Sequence, residues 1–283
     1  MNSISEIDWK VKSKVVNTLL ENRNKLILVP LDSGLEAEVT KVCLEESCFV
    51  LKVWNRSSKP NIEQQFKLLK TLYDEGLPVS QPYGWGLDKE ANSVLLMSFN
   101  GAAVTKINES KLISLAKILT SIHDFPLNCL EDTLFNKHDF INYFYSEIEE
   151  HEDIHLLIKQ LVDISHMKQD KLIHGDYNLG NILEIEGRYT IIDWTNGQLG
   201  DPRYDIAWSI VLISIYVSQR YGDVYRSAFL SRYTKEEIEL FEAIACLRWV
   251  LLNRIAVLPK GKETIARVQN ILKNNVHLNE TLI

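Results

Sequence analysis

The part of this sequence that most constrains its fold is the segment 171–194, in which short apolar runs enclose a dense polar cluster. The apolar runs are 172–173, 182–185 and 189–192, and a turn separates the last two. Between the first two runs lie His174, Gly175, Asp176, Asn178, Gly180 and Asn181. Polar groups are costly to bury without partners. The pattern therefore predicts a strand, a polar loop that is either solvated or built to hold a charged group, and a β-hairpin that ends at Asp193.

The polar residues of this segment are of the types that phosphoryl transfer requires. That reaction needs a divalent metal ion and a base that orients the attacking hydroxyl, and it asks little covalent chemistry of the protein. Asp176 is the candidate base, and Asn181 and Asp193 offer oxygen ligands of the kind that Mg²⁺ prefers. Since Asn181 precedes the hairpin and Asp193 ends it, we expect the hairpin to bring these two side chains close together. A polar hairpin loop without chemistry is the alternative.

Three motifs give the chain a resemblance to the aminoglycoside phosphotransferase and choline kinase superfamily. The sequence His-Gly-Asp at 174–176, followed by Asn181, resembles the catalytic loop of that family. Ile-Ile-Asp-Trp at 191–194 resembles its metal-binding element, and Gly-Asp-Pro-Arg-Tyr-Asp-Ile-Ala at 200–207 is similar to the segment that follows. Three motifs in this order and at these separations disfavour a loop without chemistry.

The resemblance implies an α+β, protein-kinase-like fold of two lobes. Residues 1–99 would form an N-lobe, a small antiparallel sheet with helices that binds the nucleotide. Residues 100–283 would form a larger, mainly helical C-lobe with the catalytic loop and the acceptor-binding region. The implied cofactors are ATP and Mg²⁺, with Asp176 as the catalytic residue and Asn181 and Asp193 as metal ligands.

The N-terminal third has the strand pattern that such an N-lobe requires. Residues 25–31 predict a strand, 38–44 and 48–54 predict a hairpin, and the apolar spacing within 4–21 predicts a helix. Lys52 lies on the second strand of the hairpin, among apolar neighbours. A lysine that faces inward there needs an anion, which by the resemblance is the nucleotide phosphate. The alternative is a lysine on the solvated face of an alternating strand.

The resemblance also implies two further contacts with the nucleotide. The loop 31–37, which contains Gly34, lies where a loop would cover the phosphates, although an ordinary hairpin turn fits this segment equally well. The apolar strand 93–99 would lead into the hinge between the lobes, where backbone groups of Met97 and Phe99 would meet the adenine.

A helix is predicted over 61–75, with an apolar face that includes Phe66. In the resembling family this helix supplies a glutamate that pairs with the strand lysine. Glu63 is the candidate here, but the closest register places Gln65 at that position. A glutamine could also hydrogen-bond the ammonium of Lys52, more weakly than a charged partner would.

The C-terminal part of the chain is predicted to be mainly helical. Its predicted helices span 109–122, 140–149, 154–167, 206–217 and 236–258. Asp205 is expected to cap the helix that follows it, and in the resembling families an aspartate here braces the catalytic loop. Tyr216 and Trp249 either line the acceptor pocket or belong to the core.

Charge and cysteine content limit the partners and the compartment. The formal net charge is -7 and no basic stripe occurs, which argues against a nucleic-acid partner. Cys43 and Cys48 flank a turn and could face each other, but reduced thiols in a cytosolic chain are expected. No apolar signal region begins the sequence, and its longest apolar run, 206–217, is too short to span a bilayer. We therefore expect a cytoplasmic protein without a membrane partner.

These observations predict an ATP- and Mg-dependent phosphotransferase that acts on a hydroxyl of a small molecule. An aminoglycoside, an amino-alcohol, a sugar or a similar metabolite would fit, because function lies in the site and not in the fold. The alternative is a weak or inactive nucleotide-binding pseudo-kinase that acts through protein contacts. A protein kinase is disfavoured because no Ala-Pro-Glu element follows Asp193. The sequence leaves the oligomeric state open.

Overall fold

The structure, a computed structural model, describes residues 4–31, 37–55, 61–127, 138–256 and 258–282. Its strands are β1 (Asp8–Lys12), β2 (Ile27–Pro30), β3 (Ala37–Leu44), β4 (Ser47–Trp54), β5 (Pro82–Leu87), β6 (Ser93–Ser98), β7 (Ala102–Ala103), β8 (Lys171–Ile173), β9 (Ile182–Ile185), β10 (Arg188–Ile191) and β11 (Gln198–Gly200). Its α-helices are α1 (Lys14–Glu21), α2 (Ile62–Asp74), α3 (Glu109–His123), α4 (Phe140–Phe144), α5 (Glu152–Ser165), α6 (Pro202–Tyr216), α7 (Gln219–Ser227), α8 (Lys235–Ile255) and α9 (Thr264–Asn274). The α+β class, with an antiparallel sheet in the N-terminal part and a helical C-terminal part, is confirmed.

The chain forms two compact units. They comprise Met1–Ala103 with Leu183–Thr195, and Val104–Ile182 with Asn196–Ile283. The first division falls after Ala103 instead of after residue 99, and the hairpin of β9 and β10 joins the first unit because β9 pairs with β7. As a result Asp193 belongs to the first unit, whereas Asp176 and Asn181 belong to the second.

The first unit is built on a six-stranded sheet with the order β1-β5-β6-β4-β3-β2, in which neighbouring strands run antiparallel. The predicted hairpin is confirmed as β3 and β4. Val42, Leu51 and Leu96 are at most 4% exposed and share an apolar cluster with Val16 and Leu19 of α1. Burial of apolar surface is the main stabilising contribution to such a layer, at about 25 cal/mol per Å².

The single helix predicted over 4–21 is wrong, because β1 occupies its middle. A Cβ on Gly86 would lie 2.4 Å from the carbonyl oxygen of Asp8, and one on Gly84 would lie 2.6 Å from that of Val11. These two glycines of β5 let β1 approach and pair with it. The helix α1 begins only at Lys14, after Ser13, whose hydroxyl accepts a hydrogen bond from Val16 N at 3.5 Å.

The expectation of reduced thiols is wrong for one pair of cysteines. Cys43 and Cys48 form a disulfide, because they occupy directly opposed positions of the β3–β4 hairpin with their Cα atoms 4.1 Å apart. Cys246 is a free, buried thiol. The remaining cysteine, at position 129, lies outside the described residues.

The second unit has a helical core to which α6 and α8 contribute twelve buried residues each. Phe241, Ile244 and Leu247 of α8 are fully buried, and they share a cluster with Tyr204 and Val211 of α6. A capping box formed by Thr234 and Glu237 begins α8. The predicted helix over 140–149 is shorter in the structure, where α4 ends at Phe144 and a 3-10 turn follows at Ile148–Glu150.

The cap of α6 differs from the expected one. Asp201 accepts the hydrogen bond from Arg203 N, and Pro202 occupies the first turn, where its missing N–H costs nothing. Asp205 therefore lies inside the helix and its carboxylate is available for another role. None of the described helices combines the length and the apolar character that crossing a membrane would require.

Candidate active site

The backbone of the polar loop after β8 is held by one buried carboxylate. Asp205 is 0% exposed, and its two oxygens accept hydrogen bonds from His174 N at 2.6 Å and from Gly175 N at 2.7 Å. His123 Nε2 lies 3.3 Å from the same carboxylate. The expectation that this aspartate braces the loop is confirmed. Two charge-assisted bonds to successive N–H groups fix the backbone immediately before Asp176.

Glycine is required at position 175 for two reasons. Its φ of 77° lies in the left-handed region, and a Cβ there would come within 2.6 Å of the carbonyl oxygen of Asn196. Directly after it, Asp176 N donates to His174 Nδ1 at 3.2 Å. His174 thus supports the turn of the loop.

The Asp176 carboxylate is oriented by a donor on each oxygen. Trp208 Nε1 of α6 donates to Oδ1 at 2.7 Å, and Asn181 Nδ2 donates to Oδ2 at 3.0 Å. Asn181 Nδ2 also donates to the Asp176 carbonyl oxygen at 3.0 Å. The amide nitrogen of Asn181 is thereby committed to Asp176, and its carbonyl oxygen is the atom with the chemistry to bind a hard cation.

A buried arginine lies beneath this loop. Arg248 of α8 is 9% exposed, and its Nη1 donates to the Gly175 carbonyl oxygen at 2.9 Å and to Tyr204 Oη at 2.6 Å. Its guanidinium carbon lies 4.3 Å from the centroid of the Trp208 ring. Burial by itself lowers the pKa of Arg248, but Tyr204 and the Asp176 carboxylate outweigh it, so this pKa lies above its ordinary value and the group stays cationic.

Sequence reasoning missed both Trp208 and Arg248. A signal for Arg248 existed, because it is the single charged residue in the otherwise apolar run 243–252. A buried charge needs partners, so such a residue points to a polar group nearby. Trp208 gave no comparable signal, since an aromatic residue in an apolar helix is ordinarily part of the core.

A cavity of about 350 Å³ opens beside the loop within the second unit. Asp176 and Asn178 form its polar end, while α6 and α8 contribute Trp208, Tyr216 and Trp249. Trp249 is 1% exposed, yet it lines the cavity, and its Nε1 donates to Tyr216 Oη at 3.0 Å. Both alternatives for Trp249 therefore hold at once, because this residue belongs to the core and also to the cavity wall.

The first unit contains Lys52 and Asp193 as an ion pair. Lys52 Nζ lies 3.2 Å from Asp193 Oδ1, and the lysine side chain is 17% exposed. Thr195 Oγ1 donates to the same oxygen at 2.9 Å. Asp193 has a φ of 64°, a left-handed conformation that is rare outside glycine and is often retained where a site requires it.

The predicted partner Glu63 does not pair with Lys52 in the structure. Its carboxylate lies 2.8 Å from Lys67 Nζ, one turn further along α2, on the exposed side of the helix. Gln65 instead faces the interior at 7% exposure, and its Nε2 lies 3.4 Å from Thr195 Oγ1. Gln65, two residues after Glu63 on α2, is thus the side chain that points toward the Lys52–Asp193 pair.

The other predicted nucleotide contacts are placed as follows. Met97 lies inside β6, where it pairs with Val50 of β4 and Pro82 of β5. Phe99 follows the last residue of that strand, and Lys41 Nζ lies 4.0 Å from the centroid of its ring. Gly34 lies outside the described residues.

The two predicted metal ligands carry oxygen atoms of the type that Mg²⁺ prefers. Among the described residues, no group of three or more His, Cys, Asp or Glu side chains could hold a metal ion by itself. Mg²⁺ characteristically binds through one or two protein oxygens together with water and substrate phosphates. Asn181 in the second unit and Asp193 in the first each offer one oxygen-bearing side chain of this kind.

Known structures resemble this fold over nearly its whole length. Choline kinase LicA from Streptococcus pneumoniae matches with a TM-score of 0.64 and 17% identity over 92% of this chain and 97% of that chain. Amicoumacin kinase hAmiN, in complex with AMP-PNP, Ca²⁺ and Ami, matches with a TM-score of 0.65 and 15% identity over 90% and 91%. A thermostable mutant of aminoglycoside phosphotransferase APH(4)-Ia, in ternary complex with ADP and hygromycin B, gives 0.65 and 14% over 92% and 98%. At these identities the similarity establishes the fold.

The fold and the braced loop define a kinase-like phosphotransferase. The family model for APH, the phosphotransferase enzyme family, matches residues 27–245. The chain belongs to this family, and the prediction that it is a phosphotransferase is confirmed. No sequence among the curated proteins matches it significantly.

Proposed function

We propose that this enzyme transfers the γ-phosphoryl group of ATP, with Mg²⁺, to a hydroxyl of a small molecule bound in the cavity beside Asp176. The observation that carries the proposal is the position of the Asp176 carboxylate. It lies at the polar end of the cavity, and donors from Trp208 and Asn181 hold both of its oxygens. A base whose orientation is already fixed loses less freedom when it aligns the attacking hydroxyl.

Each remaining site residue has a role in this proposal. Asp176 accepts the hydrogen bond of the acceptor hydroxyl and aligns it for in-line attack. Asn181 and Asp193 are the proposed Mg²⁺ ligands, and the bound ion would neutralise charge on the transferring phosphoryl group. Lys52 is the proposed contact with the nucleotide phosphates.

The structure favours some of the other candidate nucleotide-binding residues over others, because of where their side chains and backbone groups lie. Phe99 is the stronger candidate for the adenine contact, since Met97 is already paired on both sides of β6. Glu63 is engaged with Lys67, which favours Gln65 as the residue of α2 that accepts from Lys52 when Asp193 binds the metal ion. The oxygen Oε1 of Gln65 is buried without a hydrogen-bond partner, so it can accept a hydrogen bond from Lys52 in the nucleotide complex.

The test is a phosphotransfer assay with the full chain, Mg-ATP and a broad panel of alcohols. Asp176→Asn should leave Mg-ATP binding nearly unchanged and lower kcat by at least about 100-fold, because it removes the proton acceptor. Asp193→Ala should instead weaken Mg-ATP binding. Normal turnover by Asp176→Asn would refute the assigned role. Nucleotide binding without turnover across the whole panel would favour an inactive nucleotide-binding protein.

A further inference from the structure

The backbone on both sides of Asp193 is fixed by contacts within the first unit. Before it, Ile191 N donates to the Pro78 carbonyl oxygen at 2.7 Å, and Ile191 forms a parallel bridge with Val79. After it, the indole N–H of the buried Trp194 donates to the Ile191 carbonyl oxygen at 3.2 Å. The turn that carries Asp193 is therefore held in place, and the orientation of its carboxylate depends on side-chain contacts.

Three side chains of this unit form a chain of hydrogen bonds that ends on Asp193. Gln65 Nε2 of α2 donates to Thr195 Oγ1 at 3.4 Å, and Thr195 Oγ1 donates to Asp193 Oδ1 at 2.9 Å. A hydroxyl can accept a hydrogen bond while it donates its single proton to another group. Since the Gln65 amide donates to Thr195, the proton of this hydroxyl is directed to Asp193.

The two ends of this chain differ in their freedom to move. Gln65 is 7% exposed, whereas the side chain of Asp193 is 39% exposed. A side chain in a close-packed interior has few alternative rotamers. The buried end is therefore the fixed point, and the hydroxyl of Thr195 transmits that restraint to the more exposed carboxylate.

Lys52 is a second donor to the same oxygen of Asp193. Its Nζ lies 3.2 Å from Asp193 Oδ1 and 4.8 Å from the centroid of the Trp54 ring. The proposed function gives Lys52 another task, the contact with the nucleotide phosphates. An ammonium that turns to a phosphate gives up part of its contact with the carboxylate, whereas the hydroxyl of Thr195 is tied to Gln65. Thr195 is thus the donor that holds Asp193 both before and after the nucleotide binds.

We propose that Thr195 is a positioning residue, whose hydroxyl, directed by Gln65, holds the Asp193 carboxylate in the orientation that binds Mg²⁺. This inference rests on the proposed function, in which Asp193 is a metal ligand. Loss of a group that hydrogen-bonds a metal ligand typically lowers metal affinity about 10-fold to 100-fold. Because Asp193 is partly exposed, we expect an effect at the lower end of that range.

The test measures the affinity of the full chain for Mn²⁺, a paramagnetic substitute for Mg²⁺, at a saturating concentration of AMP-PNP. Electron paramagnetic resonance reports the free Mn²⁺, so neither an acceptor nor turnover is needed. Thr195→Val keeps the branched side chain but replaces the hydroxyl by a methyl group, and it should weaken Mn²⁺ binding about tenfold. Thr195→Ser keeps the hydroxyl and should bind Mn²⁺ nearly as tightly as the wild type.

Thr190→Val is the matched control. Thr190 is a buried threonine of β10, on the same hairpin, and it lies outside this chain of hydrogen bonds. Its replacement should leave the Mn²⁺ affinity unchanged. Circular dichroism melts show whether each variant is folded, and Thr195→Ala, which also lacks the hydroxyl, takes the place of the valine variant if that one is unfolded.

The outcomes separate this inference from the proposed function. Equal Mn²⁺ affinities for Thr195→Val and the wild type would overturn the inference and leave the proposed function intact. An equal loss in the serine variant or in Thr190→Val would also overturn it, because the effect would then not depend on the Thr195 hydroxyl. Weaker Mn²⁺ binding by Thr195→Val alone, in a chain that phosphorylates no alcohol, would support the inference and refute the proposed function. Absence of Mn²⁺ binding by the wild type would refute both.

Discussion

Trp208→Phe removes one hydrogen bond from the proposed catalytic base and keeps the aromatic ring. In the structure the Trp208 indole N–H donates to Asp176 Oδ1 at 2.7 Å, and the ring packs 4.3 Å from the Arg248 guanidinium. Phenylalanine preserves an aromatic face for Arg248 but leaves one carboxylate oxygen without its donor. The carboxylate is then free to rotate away from the orientation needed for in-line attack.

The size of the effect follows from the type of hydrogen bond. A bond to a charged group contributes about 1.5–3 kcal/mol net, compared with about 0.5–1.5 kcal/mol for a neutral pair. If the whole contribution acts in the transition state, kcat falls by about 10-fold to 150-fold. The KM for ATP should stay nearly constant, because the nucleotide contacts proposed here come from other residues.

Trp249→Phe is the matched control. Trp249 lines the same cavity, and it is as buried as Trp208, at 1% against 4% exposure. Its indole N–H, however, donates to the neutral Tyr216 hydroxyl. Steady-state kinetics and thermal melts of both variants separate catalysis from folding. The reasoning is refuted if Trp208→Phe lowers kcat no more than Trp249→Phe does, or if its loss of activity is matched by loss of folded protein.

Substitutions at three further positions test other parts of the site and fold. Asp205→Asn leaves one loop N–H facing an amide donor. We therefore expect the free energy of unfolding to fall by about 1–3 kcal/mol and kcat to fall as well. Chemical denaturation and steady-state kinetics measure the two effects, and unchanged values would show that Asp205 does not brace the loop. Gln65→Leu should raise the KM for ATP about fivefold if Gln65 accepts from Lys52 in the nucleotide complex, whereas Gln65→Glu should not raise it; equal KM values for the leucine variant and wild type would contradict that contact. Asp153→Asn tests acid stability: the hydrogen bond from Arg254 holds the pKa of Asp153 below its ordinary value, so its stabilisation is present above about pH 4 and is lost as the pH falls below that. The pair is half exposed, so the variant should lose no more than about 1 kcal/mol at neutral pH and show a weaker decline in acid, measured by urea denaturation from pH 7 to about pH 3.

The strands and helices with strong local patterns were predictable from the sequence. The β3–β4 hairpin alternates apolar residues around a short turn, and α3 repeats apolar residues at helical spacing, so local periodicity sufficed. The prediction of a single helix over 4–21 failed because of a contact between distant parts of the chain. The residues of β1 also fit a helical period, and only the pairing that Gly84 and Gly86 permit made them a strand.

In the candidate site, residue types were predictable and their partners were not. The carboxylates at 176 and 193 follow from the loop motif and the hairpin. The residue of α2 that faces Lys52 could not be read from the motif, because a shift of two positions on α2 turns Glu63 to the exposed side and Gln65 to the interior. The same limit applies to Cys43 and Cys48, whose opposed register appears only once the hairpin is paired.

The amino-acid sequence by itself determined the family, the polar loop and the candidate base Asp176, since these depend on residue types at short separations. Only the tertiary structure decided what surrounds that base. Trp208 and Arg248 lie 32 and 73 residues from the loop positions they contact. They act there because α6 and α8 pack together beneath the loop. The same burial excludes water, which strengthens the electrostatic interaction of Arg248 with its neighbours. The pattern along the chain names the groups that carry the chemistry, and packing between distant segments sets the environment in which they work.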